Sequence, residues 1–217
     1  MFRKMTLLTL ALFCAFATPA FAVLPNAPTW HENVGFIDTD AYVSAPAEFL
    51  DFCNRYPEDC LPPSNGISRV NLDASHMRDL NVTNSDVNDT IFFNSDVDTV
   101  DYWDYPQDNI GDCEDFVIEK RKRLMDRGWP EDSLLITLVN KRVPDYAGRT
   151  GHAVLTVRTA QGDYVLDNDI RSAVPWTAAM RVFEPVMMQT QMDPKVWATV
   201  KPVTVPRRDV DSGSVLP

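Results

Sequence analysis

The sequence has little that could cross a membrane and an excess of negative over positive charge. Its N-terminal apolar run, Leu7–Ala17, is too short to span a bilayer, and no later run is long and apolar enough to do so. The chain has 20 lysines and arginines against 31 aspartates and glutamates, a formal net charge of −11. A field of that sign argues against nucleic acid or an anionic lipid surface as a partner. The sequence also lacks internal repeats and low-complexity tracts.

The short apolar run is typical of an export signal. Arg3 and Lys4 precede it, and Ala20-Phe21-Ala22 follows it as a small-x-small cleavage site. We therefore predict a signal peptide over residues 1–22 and a soluble, exported domain over residues 23–217, with its core at about 45–205. About 195 residues are enough for one domain with a sizeable core. Without the signal the chain keeps 18 basic and 31 acidic residues, a balance compatible with cation binding.

Cysteine is scarce, and its scarcity is informative. Of the four cysteines, Cys14 lies in the predicted signal, so three remain after export. Cys53 and Cys60 flank a short turn-rich stretch, and we expect them to form a disulfide in an oxidising compartment. Cys113 is then left over. An odd thiol in an exported protein is either buried and inert or reactive.

Cys113 opens a predicted helix. Asp112 is a suitable N-cap, Asp115 lies at the third helical position, and Gly128 marks the predicted end. The positive end of the helix dipole favours a thiolate at Cys113, whereas the acidic neighbours oppose it. The basic run Lys120–Arg123 is predicted to be a solvated face of this helix.

Two predicted strands downstream each carry one polar residue of catalytic interest. His152 stands at the start of the strand Ala153–Thr159, and a turn then leads into Tyr164–Asp167, which gives a hairpin. Asp167 ends its strand, from which it can reach one ring nitrogen of His152 and fix the tautomer. A thiol, an imidazole and a carboxylate in this order are a nucleophile, a base and an orienting group. The alternatives are a buried structural Cys113, a satisfied core imidazole and an aspartate that only turns the chain.

The other elements fit an α+β fold in which the nucleophile-bearing helix packs on an antiparallel β-sheet that carries the His and the Asp. Further helices are predicted over residues 46–53 and 68–82, and further strands over 133–139 and 197–200. We predict residues 23–45 and 83–100 to be irregular. The first stretch contains prolines and alanines, and the second is rich in asparagine, aspartate and serine. The tryptophans predicted to lie in the core are Trp103, Trp129, Trp176 and Trp197.

These motifs resemble the bacterial transglutaminase-like cysteine proteinases, whose LapG-type branch consists of periplasmic proteases that release biofilm adhesins from the cell surface. The resemblance covers roughly residues 49–200. The segments that carry it are Asp101-Tyr102-Trp103, Gly111–Asp115, Gly128-Trp129-Pro130, Gly151–Leu155 and Val165–Asn168. The chain departs from the pattern between residues 71 and 100, where relatives usually have a plainer helix. That departure concerns substrate recognition more than chemistry.

The resemblance implies a papain/transglutaminase-like fold and a periplasmic thiol protease that uses Cys113, His152 and Asp167 on a protein substrate such as a surface adhesin. A membrane-protein regulator is a further implied partner. In the LapG-type branch, acidic residues at the positions of Asp112 and Glu114 are tied to calcium, for which oxygen ligands are suited. The alternative for this acidic pair is helix capping, which explains Asp112 fully and Glu114 in part.

Two other functions remain open at this point. A transglutaminase-like enzyme that transfers the acyl group to an amine uses the same triad and differs only in the acceptor. A non-catalytic, calcium-responsive binding domain on the same fold is the second, and it has no need of all three triad residues. The intact triad therefore favours an enzyme.

Overall fold

A computed structural model describes residues 35–202, except positions 65, 67, 95–101 and 143–148; for Arg142 and Arg149 it describes the backbone alone. The predicted signal peptide lies outside the described residues. All described residues fall within one compact unit of the chain. None of the described helices is both long and apolar enough for a membrane span.

The fold is centred on one antiparallel sheet. Its strands are Thr39–Ser44 (β1), Leu134–Arg142 (β4), Arg149–Thr159 (β5), Gly162–Leu166 (β6), Val174–Pro175 (β7), Phe183–Gln189 (β8) and Val196–Val200 (β9). They are arranged in the order β1-β9-β8-β4-β5-β6-β7. Two short parallel strands, Phe92–Phe93 (β2) and Ile110–Gly111 (β3), form a separate ladder.

The described α-helices are Ala47–Arg55 (α1), Ala74–Thr90 (α2), Cys113–Asp126 (α3) and Trp176–Ala179 (α4). Helix α3 packs against β5 and β4, and α2 packs against α3. The expected α+β layout is therefore confirmed: a helix that begins at Cys113 lies on an antiparallel sheet. A Cys53–Cys60 disulfide joins the C-terminal part of α1 to the turn that follows it.

Apolar side chains bury both faces of the central strands. Leu134, Ile136 and Leu155 belong to a cluster that includes residues of α1 and α3. The neighbouring Leu135 and Val154 belong to a second cluster that includes residues of α4. Because successive side chains of a strand point to opposite faces, a strand covered on both sides is apolar without interruption. This explains why the run 133–139 was recognisable as a buried strand. All four tryptophans predicted to be in the core are buried.

The helix predicted over residues 68–82 was misplaced, because α2 begins at Ala74 and continues to Thr90. Residues 83–90, predicted to be irregular, are helical. Asn84 and Asn88 are not turn residues here: their side-chain amides donate to the backbone carbonyls of Ile170 and Asp167, at 2.5 and 2.9 Å. These tertiary hydrogen bonds outweigh the weak helix propensity of asparagine.

Two further predictions were wrong. Residues 39–44, predicted to be irregular, form the edge strand β1; its largely exposed side chains show no apolar alternation to predict a strand. The run Lys120–Arg123 is solvated only in its second half. Lys120 and Arg121 have relative exposures of 0% and 6%, because they lie on the faces of α3 turned toward the rest of the domain.

Candidate active site

Cys113 is the first residue of α3, and the loop before it is held tightly. Asp112 and Asp115 form a capping box, in which the Asp115 carboxylate accepts from the Asp112 backbone N–H at 3.4 Å. The other Asp115 oxygen accepts from the backbone N–H of Asp104 at 2.9 Å. A Cβ at Gly111 would lie 2.6 Å from an Asp115 carboxylate oxygen, so this close approach requires glycine. The carboxylates of Asp112 and Asp115 thereby fix the start of α3.

The Cys113 thiol contacts the Glu114 carboxylate: its Sγ donates to Glu114 Oε2 at 3.0 Å. Burial raises the pKa of Cys113 well above its usual range, and the Glu114 carboxylate raises it further, whereas the Ala153 N–H acts in the opposite direction. The thiol is therefore neutral in this arrangement. It needs a base to become a nucleophile.

The predicted base lies on β5. His152 precedes Ala153, and its Nε2 lies 2.6 Å from Asp167 Oδ1. Both side chains are buried, with relative exposures of 6% and 0%. The ring of Phe183 lies against the imidazole, with ring centroids 5.6 Å apart. When Asp167 accepts from Nε2–H, the imidazole proton is on Nε2 and the Nδ1 lone pair is available to a nucleophile.

Asp167 is held in place and ionised. Its second oxygen accepts from the backbone N–H of Asp169 at 3.2 Å, and Asn88 donates to its backbone carbonyl. Burial by itself raises the pKa of Asp167, but the hydrogen bond and charge of His152, with Lys120 and Lys141, bring the pKa below its ordinary value. An anionic Asp167 is what the Nε2–H tautomer of His152 requires.

Strand register explains how these groups meet. Strand β6 pairs with β5 from Thr159↔Gly162 to Leu155↔Leu166, where the ladder ends. Asp167 follows directly as β6 leaves the sheet, while β5 reaches back through Ala153 and His152 towards the start of α3. The sequence predicted His152 at the start of a strand. In the structure it lies inside β5 instead. Of the predicted candidates, His152 and Asp167 are in direct contact, and Cys113 begins α3, which packs against β5.

Two participants in this site were missed by the sequence interpretation. Asn88 was assigned to an irregular stretch, although it supports Asp167 from α2. Lys120 was assigned to a solvated face, yet it is fully buried and its charge acts on Asp167 and Asp169. The signal that could have identified Lys120 is its spacing from Cys113: seven residues are about two helical turns, which puts both on one face.

The proposed calcium ligands flank the nucleophile. Asp112 and Glu114 are half-buried, and their oxygens are of the kind that calcium prefers. Within the described ranges, no group of three or more His, Cys, Asp or Glu side chains is arranged to hold a metal. Calcium takes about six to eight oxygen ligands, so two carboxylates need backbone carbonyls and waters to complete the shell. The donor set therefore fits calcium in kind but is incomplete in number.

The sequence of this chain matches one protein family. Residues 39–204 match the family described as bacterial transglutaminase-like cysteine proteinase. A search of curated protein sequences gave no match. Among solved structures, Legionella pneumophila LapG is 27% identical, with 56% of this chain and 67% of that chain covered and a TM-score of 0.46.

Two other forms of the same protein are also similar. EGTA-treated L. pneumophila LapG is 25% identical over 58% of this chain and 70% of that chain, with a TM-score of 0.47. Calcium-bound L. pneumophila LapG is 22% identical over 74% of this chain and 82% of that chain, with a TM-score of 0.48. Because all three TM-scores are low, the family assignment depends on the sequence match over residues 39–204.

Proposed function

The chain belongs to the bacterial transglutaminase-like cysteine proteinases, and we propose that it hydrolyses peptide bonds with Cys113 as the nucleophile, His152 as the base and Asp167 as the orienting residue. The family makes the protein a cysteine peptidase of the transglutaminase-like type. What supports the residue assignment is the buried contact of His152 Nε2 with Asp167 Oδ1 at 2.6 Å, together with the free thiol of Cys113 at the start of α3, a helix that packs against the strand of His152.

In the proposed reaction, His152 Nδ1 takes the proton of Cys113, and the thiolate attacks the carbonyl carbon of the scissile peptide. The backbone N–H of Cys113 is in the first turn of α3, where N–H groups lack helical acceptors, and it donates to the oxyanion. His152 then gives its proton to the leaving amine, and a thioester remains. Water, activated by His152, hydrolyses the thioester and returns the thiol. Asp167 stabilises the imidazolium at both stages.

The triad is tested by substitution and alkylation. Cys113→Ala should keep the fold and abolish turnover. Iodoacetamide should label Cys113 in the native protein, and His152→Ala should slow that labelling. His76→Ala is the matched control, because His76 lies at the start of α2 beside Asp73 and should leave labelling unchanged. Undiminished turnover in Cys113→Ala would rule out this nucleophile.

Hydrolysis and acyl transfer are separated by the acceptor. The purified enzyme should release new peptide termini from its substrate in water. With an added primary amine in excess, products should remain mainly hydrolytic. Quantitative incorporation of the amine would instead favour the transglutaminase-like alternative.

We also propose that calcium binds beside Cys113 through Asp112 and Glu114. What supports this is the pair of carboxylates that brackets the thiol, together with their oxygen chemistry. Bound there, the cation would supply positive charge that offsets the carboxylates next to the nucleophile. A chelator should then lower activity, and calcium should restore it.

Calcium binding has readouts that do not depend on turnover. Titration calorimetry should show heat, and calcium should raise the melting temperature by mass action. Asp112→Ala should remove both calcium effects, although loss of the cap lowers stability without calcium as well. The informative quantity is therefore the calcium-dependent part alone. No heat together with chelator-insensitive turnover would leave Asp112 as a cap and Glu114 as the hydrogen-bond acceptor of the Cys113 thiol.

The location and substrate are proposed from the sequence. The predicted signal peptide supports export to the periplasm, and the family resemblance supports a surface protein such as an adhesin as the substrate, with a membrane protein as regulator. Mass spectrometry of surface proteins from cells with the active enzyme and with Cys113→Ala is the test. Identical surface proteomes in the two strains would contradict this role.

A further inference from the structure

The loop of residues 167–173 joins β6 to β7, begins with Asp167 and contains no helix or strand. Strand β6 leaves the sheet after the pair Leu155↔Leu166, so Asp167 is the first residue beyond the ladder. A residue at this point is no longer fixed by the regular hydrogen bonds of a sheet. The position of its carboxylate therefore depends on contacts that the loop makes elsewhere.

Helix α2 supplies such contacts at the start of the loop. Asn88 Nδ2 donates to the backbone carbonyl of Asp167 at 2.9 Å and, in a longer branch, to that of Ile170 at 3.4 Å. Asn84 Nδ2 donates to the same Ile170 carbonyl at 2.5 Å. Because four residues are about one helical turn, the two amides lie on the same side of α2. One face of a helix thus binds the backbone on which Asp167 is carried.

The far end of the loop is held by separate contacts. Asn81 Oδ1 accepts from the backbone N–H of Ala173 at 2.9 Å, and Arg171 pairs with Asp89 at 2.8 Å. Both side chains of that ion pair are largely exposed, so it contributes little. These contacts are made by residues four and six positions after Asp167. They fasten the loop to α2 without binding the backbone of Asp167 itself.

Helix stability does not explain an asparagine at position 88. Asparagine forms helices less readily than alanine or leucine. The Oδ1 atom of Asn88 is buried and has no hydrogen-bond partner among the described residues. A buried acceptor that is left unpaired costs free energy. An aliphatic side chain would avoid this cost, but it could not donate to the Asp167 carbonyl.

We propose that Asn88 is a positioning residue of the triad: its amide fixes the backbone of Asp167 and so keeps the carboxylate on His152 Nε2. This inference rests on the proposed function of the triad. Asn88 binds the backbone carbonyl of Asp167, so it acts on the reaction only through that residue.

The hydrogen bond from Asn88 restrains the peptide that follows Asp167. The Asp167 carboxylate is bound at two points, by His152 Nε2 at 2.6 Å and by the backbone N–H of Asp169 at 3.2 Å. Without Asn88 this peptide could turn, and the Asp169 N–H would leave the carboxylate. His152 would then lose a fixed acceptor for Nε2–H. A displacement of about 1 Å in a catalytic group can slow a reaction about 100-fold.

A neutral amide is suited to this place. His152 and Asp167 are both buried, so a charge placed beside them would alter the charge state of the pair. Lysine or arginine at position 88 could also donate, but each would bring such a charge. Asparagine fixes the backbone and leaves the ionisation of Asp167 to its own partners.

The first test compares two positions of α2. Asn88→Asp keeps the size of the side chain and replaces the donor by an acceptor, and Asn88→Leu removes the polar group. Asn81→Leu is the matched control, because it breaks a hydrogen bond of the same length, 2.9 Å, at the far end of the loop. Thermal unfolding of the three variants measures the loss of stability, which we expect at both positions.

The readout that separates positioning from stability is the Nε2–H proton of His152. The chain has three histidines, so NMR of protein with nitrogen-15 histidine can assign this proton with the help of His152→Ala. In the wild type and in Asn81→Leu it should lie downfield and exchange slowly with water, because Asp167 accepts from it at 2.6 Å. In both Asn88 variants it should move upfield and exchange faster.

The reactivity of the thiol gives a second readout. At a single, neutral pH, iodoacetamide should alkylate Cys113 about tenfold more slowly in both Asn88 variants, and within about twofold of the wild-type rate in Asn81→Leu. An unchanged His152 signal in a folded Asn88 variant would overturn the proposal. An equal change in Asn81→Leu would overturn it as well, since the loop as a whole would then be responsible.

The wild type decides if neither Asn88 variant folds. Slow exchange of the Asn88 side-chain amide and of the His152 Nε2–H would support the inference, and fast exchange of either would refute it. Full turnover in Cys113→Ala would instead refute the triad, so the two failures are distinguishable.

Discussion

Loss of the Cys53–Cys60 disulfide should lower stability by an amount set by the length of the loop it closes. The two cysteines are 7 positions apart, which gives a loop of 8 residues. Constraint of the unfolded chain by such a loop contributes about 2.5 kcal/mol. For a domain of this size, each kcal/mol shifts the melting temperature by about 2–4 °C. The reduced protein should therefore melt about 5–10 °C below the oxidised one.

The native structure itself should survive reduction. Arg121 Nη1 on α3 donates to the backbone carbonyl of Asp59, inside the loop, at 3.1 Å, and the Tyr105 hydroxyl donates to Asp59 Oδ2 at 2.7 Å. These bonds hold the loop in place whether or not the sulfurs are joined. At 25 °C, reduced protein should therefore keep its circular dichroism spectrum and its rate of Cys113 alkylation.

The assay is thermal unfolding followed by circular dichroism, with and without a reductant. The double variant Cys53→Ala/Cys60→Ala should melt at or below the reduced wild type, because both sulfurs are buried and their removal also loses packing. Cys113→Ala is the control, since reductant should lower its melting temperature as it does in the wild type. A fall of less than about 2 °C would refute the loop-entropy reasoning, and loss of secondary structure on reduction would refute the role given to the Asp59 contacts.

Three further outcomes are expected. Gly111→Ala should lower the free energy of unfolding in urea by about 1–3 kcal/mol and slow Cys113 alkylation, because the added Cβ would lie 2.6 Å from Asp115. Gly151→Ala is the control: its Cβ would meet nothing within 4 Å, so stability should be near that of the wild type. Arg121→Met should cost about 3 kcal/mol, since its buried guanidinium bonds one carboxylate and two backbone carbonyls; equal urea midpoints would contradict this. The pKa of Asp73 is lowered by hydrogen bonds from the Ser75 hydroxyl and from backbone N–H groups at the start of α2. The ionised cap therefore stabilises the folded protein above about pH 4, and this stabilisation is lost as the pH falls through the lowered pKa. The stability difference between Asp73→Ala and wild type should therefore be smaller at pH 2 than at pH 7, and a pH-independent difference would refute the charged cap.

The parts of the fold that were predictable are those in which local signals agree. Helix α3 has an N-cap at Asp112, an acidic first turn and Gly128 at its end with φ of 89°, and each of these signals is local. In β5, apolar and polar residues alternate, and a short turn then leads into β6. Because the thiol begins α3, the imidazole lies within β5 and the carboxylate directly follows β6, the candidate residues could be identified with these elements.

The parts that were missed depend on contacts between distant segments. Asn84 and Asn88 weaken a helix considered by itself, and only the carbonyls near residue 170 make them favourable there. Strand β1 exists because β9 offers a partner, and its own exposed side chains give no signal. Lys120 illustrates the same limit: a run of basic residues predicts a solvated surface, whereas the packing of α3 against β4 and β5 buries this lysine.

Cys113 and Lys120 lie on one face of α3. The number of residues between them therefore fixes their relative orientation. Each inserted or deleted residue turns the rest of the helix by about 100° and moves it by about 1.5 Å. One added residue would therefore turn Lys120 away from the buried face of α3 while leaving the thiol and its cap untouched. Only changes of about a whole turn could restore the direction, and they would displace the charge by about 5.4 Å. Insertions and deletions in α3 should therefore be tolerated far less than substitutions of its exposed side chains.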